Sequence, residues 1–271
     1  MTLHGRAPHR PELAGIVQRL WYVENPGSGG LEVKLPTGTA QLLINLGGDR
    51  LSCGAADRRQ TVGPLALAPI SSGPEVLDRS EQRRLVGVVV RPEAVGALAR
   101  IPADRIGPLT ALDQLWGTWS DRLRDVAEPA TGGPAVLDRI EAELAGLVRS
   151  DADVAADPLV RHVITRLRRN ERIGTIGDRV GLSQSAWTRR FRAAVGLTPK
   201  RYQRVLRLEQ VITLARTAGA DGVDWADLAV RAGYFDQAHL VGDFTELTGT
   251  SPGRWFRCGT DAAFHGPLPV R

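Results

Sequence analysis

Ser185, Thr188, Arg189 and Arg192 stand at spacings i, i+3, i+4 and i+7, so a helix through them presents all four on one face. These side chains suit the edge of a nucleic-acid base pair. A guanidinium such as that of Arg189 can give two hydrogen bonds to guanine, and Ser or Thr can meet either base type or a thymine methyl. Arg192, Lys200 and Arg201 lie further along and suit phosphate oxygens, which fix register without reporting sequence. Trp187, Phe191 and Val195, four residues apart, form the opposite, apolar stripe.

The charge map agrees with a polyanionic partner. The 271-residue chain has 35 Lys+Arg and 30 Asp+Glu, a net of +5. Residues 1–150 hold 17 of each sign. Residues 161–207 carry 13 basic side chains, with Glu171 and Asp178 as the acids, a net of +11. Residues 208–271 carry five basic and eight acidic side chains, a net of −3. A concentrated basic block between neutral and acidic flanks suggests a polyanionic partner, with a solvated helix face as the alternative.

Other chemistry has little support. There is no GxSxG, no phosphate-binding loop and no Gly-rich dinucleotide fingerprint. His4, His9, His162, His239 and His265 form no HxH or HxxxH pair, so no metal site and no cofactor are expected. Cys53 and Cys258 make no CxxC pair, and with two cysteines in the chain neither a disulfide framework nor a Cys-rich zinc site is expected. Cys53 reads as a small buried residue. The longest apolar runs, such as Leu85–Val90, are strand-sized, and the N-terminus has no apolar signal stretch. A cytoplasmic protein with no membrane partner is expected.

The elements that must position the basic face are written as a repeat. Ser183-x3-Trp187-x3-Phe191-x4-Gly196-x-Thr198-Pro199-x2-Tyr202 recurs 53 residues later as Asp236-x3-Leu240-x3-Phe244-x4-Gly249-x-Ser251-Pro252-x2-Trp255. Each copy opens on a residue that can cap a helix and closes on a Gly where a helix ends. Upstream lie a short helical segment and a Gly turn, Ile176-Gly177…Gly181-Leu182 and Leu228-Ala229…Gly233-Tyr234. A helix, a Gly turn and a capped second helix make a helix-turn-helix. A helix over Lys200–Arg216 would join the copies, with Leu208, Val211 and Ala215 facing them. In the second copy Gln237, Ala238 and His239 are the base-reading candidates, and Gly242 stands where Arg189 stands in the first.

The N-terminal half follows another period. Residues 1–10 read as a loose tail. Leu31–Leu35, Gln41–Leu46, Thr61–Leu67 and Arg84–Val90 read as strands separated by Gly/Pro turns, which predicts a small antiparallel sheet or partial barrel. Pro92–Arg100 reads as a short helix. Leu112–Ala127 and a stripe of Val136, Ile140, Leu144 and Leu147 predict a helical hairpin. Trp21, Tyr22, Trp116 and Trp119 are candidates for a small-molecule pocket, with plain core as the alternative. The expected fold class is α+β followed by an all-α dual helix-turn-helix. The expected division is a sensor or dimerisation domain over 1–150, a linker over 151–158, a DNA-binding domain over 159–257 and a flexible tail over 258–271.

The C-terminal half resembles the AraC-type DNA-binding domain. The resemblance is carried by Gly181-Leu182-Ser183, Arg189-Arg190-Phe191, Val195-Gly196-Leu197-Thr198-Pro199, Arg207-Leu208 and Gly233-Tyr234-Phe235-Asp236-Gln237-Ala238-His239-Leu240. Asp243-Phe244 and Thr248-Gly249-Thr250-Ser251-Pro252 complete it. Leu35-Pro36-Thr37-Gly38 and Arg91-Pro92 resemble the sensor-like domain attached to some members. The resemblance implies two helix-turn-helix units joined by a long helix, with base contacts at Ser185, Thr188 and Arg189. It departs at Gly242, where members often carry a basic residue. It implies a transcription regulator, activator more often than repressor, bound to double-stranded DNA as an expected homodimer. RNA polymerase and a small-molecule effector are its candidate partners. The alternatives are a DNA-tethered enzyme or repair protein with chemistry in its N-terminal domain, and an effector-independent regulator whose N-terminal domain only dimerises.

Overall fold

Apolar alternation in the first hundred residues builds strands, and their pairing builds two antiparallel sheets. A computed structural model describes residues 2–24, 30–55, 57–127, 132–151, 154–219, 223–257 and 265–267. The strands are β1 (Thr2–Arg6), β2 (Val17–Glu24), β3 (Leu31–Lys34), β4 (Ala40–Asn45), β5 (Leu51–Ala55), β6 (Arg58–Val62), β7 (Leu65–Ala68), β8 (Glu75–Asp78), β9 (Arg84–Val90), β10 (Thr110–Ala111) and β11 (His265–Pro267). One sheet runs β1-β2-β9-β4-β7-β10 and the other β11-β3-β8-β5-β6.

Three sequence expectations change here. Residues 2–6 are not loose: β1 pairs antiparallel with β2, Thr2 opposite Glu24 and Arg6 opposite Leu20. Arg6 then reaches α4 (Gly133–Ser150), pairing with Asp138 and Glu141 at 2.6 and 2.5 Å. The Thr61–Leu67 run is two strands in different sheets, because Gly63-Pro64 turns the chain between β6 and β7. The expected helix over Leu112–Ala127 breaks at Gly117, whose φ of 56° suits glycine. It leaves α2 (Leu112–Trp116) and α3 (Trp119–Ala127). The hairpin of α3 and α4 covers the six-stranded sheet, with Val136, Ile140 and Leu144 buried against it. Part of the loop expected at Glu128–Pro134 lies outside the described residues.

Pro92 opens a 3-10 turn that leads into α1 (Val95–Ala99). Asp157 then caps α5 (Pro158–Arg168), accepting from Leu159 N–H at 2.9 Å and Val160 N–H at 3.2 Å. The remaining helices are α6 (Ile173–Val180), α7 (Gln184–Val195), α8 (Pro199–Ala218), α9 (Trp225–Arg231), α10 (Gln237–Thr248) and α11 (Pro252–Arg257). One apolar cluster runs without a break from the six-stranded sheet into this helical half. It joins Leu20, Val88 and Val95 to Val163, Trp187, Phe191 and Tyr202. A second cluster holds α8, α9 and α10 together and takes in Val33 and Leu35 from the sheet side. Of the stretch beyond Cys258, β11 pairs with β3, and the rest lies outside the described residues.

Candidate nucleic-acid interface

The repeated sequence produces repeated geometry. Ser183 caps α7 by accepting from Ala186 N–H at 3.3 Å, and Asp236 caps α10 by accepting from His239 N–H at 2.7 Å. Gly181 and Gly196 take φ of 69° and 92° around α7, and Gly233 and Gly249 take 81° and 74° around α10. These are left-handed conformations that cost a side-chain-bearing residue energy. Trp187, Phe191 and Val195 are fully buried, as are their counterparts Leu240 and Phe244. Thr198 caps α8, which has 20 residues and buries Leu208, Val211 and Ala215.

The first unit gathers its candidate reading residues. Asp104, Gln184, Ser185, Thr188, Arg189 and Arg192 line one open concavity of about 460 Å³. Arg189 is exposed and makes no ion pair among the described residues. Arg192 pairs with Asp104 at 3.0 Å, across to the 3-10 turn Ala103–Arg105 of the N-terminal half. Arg190 makes a two-point pair with Asp157 at 2.5 and 3.0 Å, which raises its pKa. Lys200 and Arg201 stand exposed at the start of α8. Packing holds α7 from behind: a Cβ on Gly96 of α1 would lie 2.4 Å from the carbonyl oxygen of Ala193.

The second unit is arranged differently. Gln237, Ala238 and His239 are all exposed on the first turn of α10. The His239 ring stands edge-on to Tyr234, centroids 5.2 Å apart, with Nδ1 3.5 Å from the Phe235 nitrogen. At a spacing of 53, Ser185, Thr188 and Arg189 map to Ala238, Val241 and Gly242. Val241 was not among the sequence candidates, although the repeat carries it. Behind α10, Arg204 of α8 pairs with Asp243 at 2.5 Å and Glu246 at 2.6 Å. Asp243 also accepts from the Tyr234 hydroxyl at 3.2 Å. Burial raises the Tyr234 pKa, and Asp243 adds to it.

The N-terminal half meets α8 at a loop. Gly38 N–H donates to Glu209 Oε1 at 2.9 Å, and the Tyr202 hydroxyl donates to Gly38 O at 2.9 Å. Burial raises the Glu209 carboxyl above its ordinary value, with the Gly38 N–H and Arg168 pulling the other way.

The aromatic candidates do not converge. Tyr22 lies in the cluster beneath α4, whereas Trp21 packs on the opposite side of β2 with Leu51 and Cys53. Trp116 donates its Nε1 proton to Leu98 O at 2.9 Å, and Trp119 carries Arg122 over its ring at 5.1 Å. Cys53 is buried and its thiol is pushed up to about 12, first by desolvation and then by Glu75. His9, Asp138 and Glu141 bring metal-type donors together, but Arg6 already neutralises both carboxylates. No helix among the described residues is long and apolar enough to cross a membrane.

Comparison with solved structures finds low-identity likeness over most of the chain. ToxT from Vibrio cholerae O395 is 10% identical, with a TM-score of 0.47, over 96% of this chain and 99% of that one. ToxT from Vibrio cholerae strain SCE256 bound to an unsaturated fatty acid is 10% identical, TM-score 0.47, over 91% and 96%. The AraC-like transcriptional activator CuxR is 15% identical, TM-score 0.26, over 77% and 86%. Comparison with curated proteins finds no match. Residues 176–257 match the family model described as a helix-turn-helix domain, and both capped helix pairs fall inside that span. The helical half of this chain therefore carries a helix-turn-helix domain.

Proposed function

We propose that the chain is a sequence-specific regulator whose first helix-turn-helix reads bases through Ser185, Thr188 and Arg189, with Arg192, Lys200 and Arg201 on phosphates. The observation that carries this reading is the shared concavity of the three base-reading side chains on an α7 whose other side is packed into the protein. The N-terminal half would sense a small-molecule effector and act through the contacts it makes with α7 and α8. A shift between two arrangements of those contacts would change DNA occupancy. The AraC-type resemblance favours activation, with RNA polymerase as partner and a dimer as the working form. The buried, hydrogen-bonded Trp116 favours a second reading in which the aromatic residues are core and the N-terminal half acts without an effector.

The test begins with selection of DNA from a random library by the full-length protein, with and without a metabolite mixture. Arg189→Ala should then cost about 1–3 kcal/mol on the selected site and relax preference at one position. Unchanged affinity and preference would remove Arg189 from the reading set. Identical selection with and without metabolites would favour the effector-independent reading.

A further inference from the structure

Six large apolar side chains are exposed among the described residues: Leu3, Leu31, Ile101, Leu182, Val230 and Phe235. Leu182 and Phe235 are 53 residues apart, and each immediately precedes the N-cap of its recognition helix. An apolar residue there ordinarily staples onto the fourth residue of the helix, here Trp187 or Leu240. Phe235 does not: it is 86% exposed, against 42% for Leu182.

The face beside Phe235 offers few hydrogen-bonding groups. Ala238, Val241 and Gly242 occupy the positions of Ser185, Thr188 and Arg189, and a Cβ on Gly242 would meet nothing within 4 Å. Thr245, the counterpart of Arg192, turns its hydroxyl back to Val241 O at 2.7 Å. His239 stands against Tyr234, and Gln237 is the polar side chain left at the rim. No Lys or Arg lies anywhere in α10. The apolar group that a base pair shows in the major groove is the thymine C5-methyl.

We propose that the second unit recognises thymine methyl groups by apolar contact, through Phe235 with Ala238 and Val241, rather than by hydrogen bonds to base edges. This rests on the DNA-reading function proposed above. The chain then carries two readers of different chemistry on one connecting helix. The first is cationic and bonds to base edges. The second is apolar and selects methyl-bearing sequence.

The probe is the DNA duplex selected by the full-length protein, footprinted to locate the groove under each unit. Each dT is replaced singly by dU, which removes the methyl and leaves pairing intact. Burial of one methyl predicts about a fourfold loss per affected dT under the second unit. Phe235→Ala, which touches no core, should abolish the loss at one or more of these positions. It should leave base preferences under the first unit unchanged. A two-groove footprint with dU tolerated throughout the second half-site would overturn the inference while leaving DNA reading intact. So would a footprint confined to the first groove. Phe235→Ala that keeps every dU penalty but loses activation in a transcription assay would assign the surface to a protein partner and also overturn it. Failure to select any DNA would instead remove the underlying DNA-reading function.

Discussion

Arg192 is one guanidinium with two claimants, the Asp104 carboxylate and, under the proposed function, a DNA phosphate. The Asp104 pair is about half exposed on the arginine side, so it contributes ~0–1 kcal/mol and can be displaced. Asp104→Asn should therefore raise DNA affinity by no more than about fivefold. Arg192→Ala should weaken binding evenly across sequences and flatten the salt dependence by about one unit of slope. In the Arg192→Ala background the gain from Asp104→Asn should vanish. Anisotropy titrations over a range of salt concentrations measure all three variants, and an equal Asp104→Asn gain in both backgrounds would show that Asp104 acts elsewhere. Arg190 differs, because its two bonds to Asp157 tie it to the cap of α5.

At the scale of elements, the decisive packing is that of α1 on α7. Helix propensity alone would make Gly96→Ala stabilising by up to about 1 kcal/mol. The added Cβ would instead meet the backbone oxygen of Ala193, which cannot rotate away. Overpacking of this kind costs ~1–3 kcal/mol, so Gly96→Ala should lower stability. Urea denaturation gives the sign directly, and a stabilised variant would mean that α1 and α7 separate easily. Elements whose burial is local were legible in the sequence. The stripes of Trp187, Phe191 and Val195, and of Leu208, Val211 and Ala215, are buried as their spacing requires. Elements that depend on distant partners were not. Thr2–Arg6 shows no apolar alternation, and its strand exists through pairing with β2 and ion pairs to α4. The docking of α7 on α1 depends on the missing side chain of Gly96, and spacing does not reveal it. The shared face of Ser185, Thr188, Arg189 and Arg192 was visible as a helix period. The apolar face of α10 was obscured because Gln237, Ala238 and His239 are contiguous, whereas the repeat places the equivalent face on Ala238, Val241 and Gly242.

Across the whole molecule, Glu209 makes the junction of the two halves sensitive to pH. Its carboxyl titrates above the ordinary 4.5, so the folded protein holds that proton more tightly than the unfolded chain. The resulting stabilisation is complete below the ordinary value and is lost as pH rises through the raised one. Glu141 and Glu246, held below 4.5 by hydrogen bonds and nearby arginines, act in the opposite sense at lower pH. Glu209→Gln keeps an acceptor for Gly38 N–H but has no proton to gain or lose. The stability of the variant relative to wild type should therefore increase as pH rises above 4.5 and through the raised value. A constant difference in urea midpoints would show that Glu209 is ionised throughout.

The continuous cluster linking the six-stranded sheet to Trp187, Phe191 and Tyr202 also bears on how the protein is made. A ribosome releases the sheet and the α3–α4 hairpin first, then takes ~2–9 s to add the residues from Asp151 to the end of α7 at Val195. During that interval the platform for α7 is folded and its apolar surface has no cover. α7 then arrives at a seat already built, so a nascent chain completes the N-terminal half before the helix that packs on it.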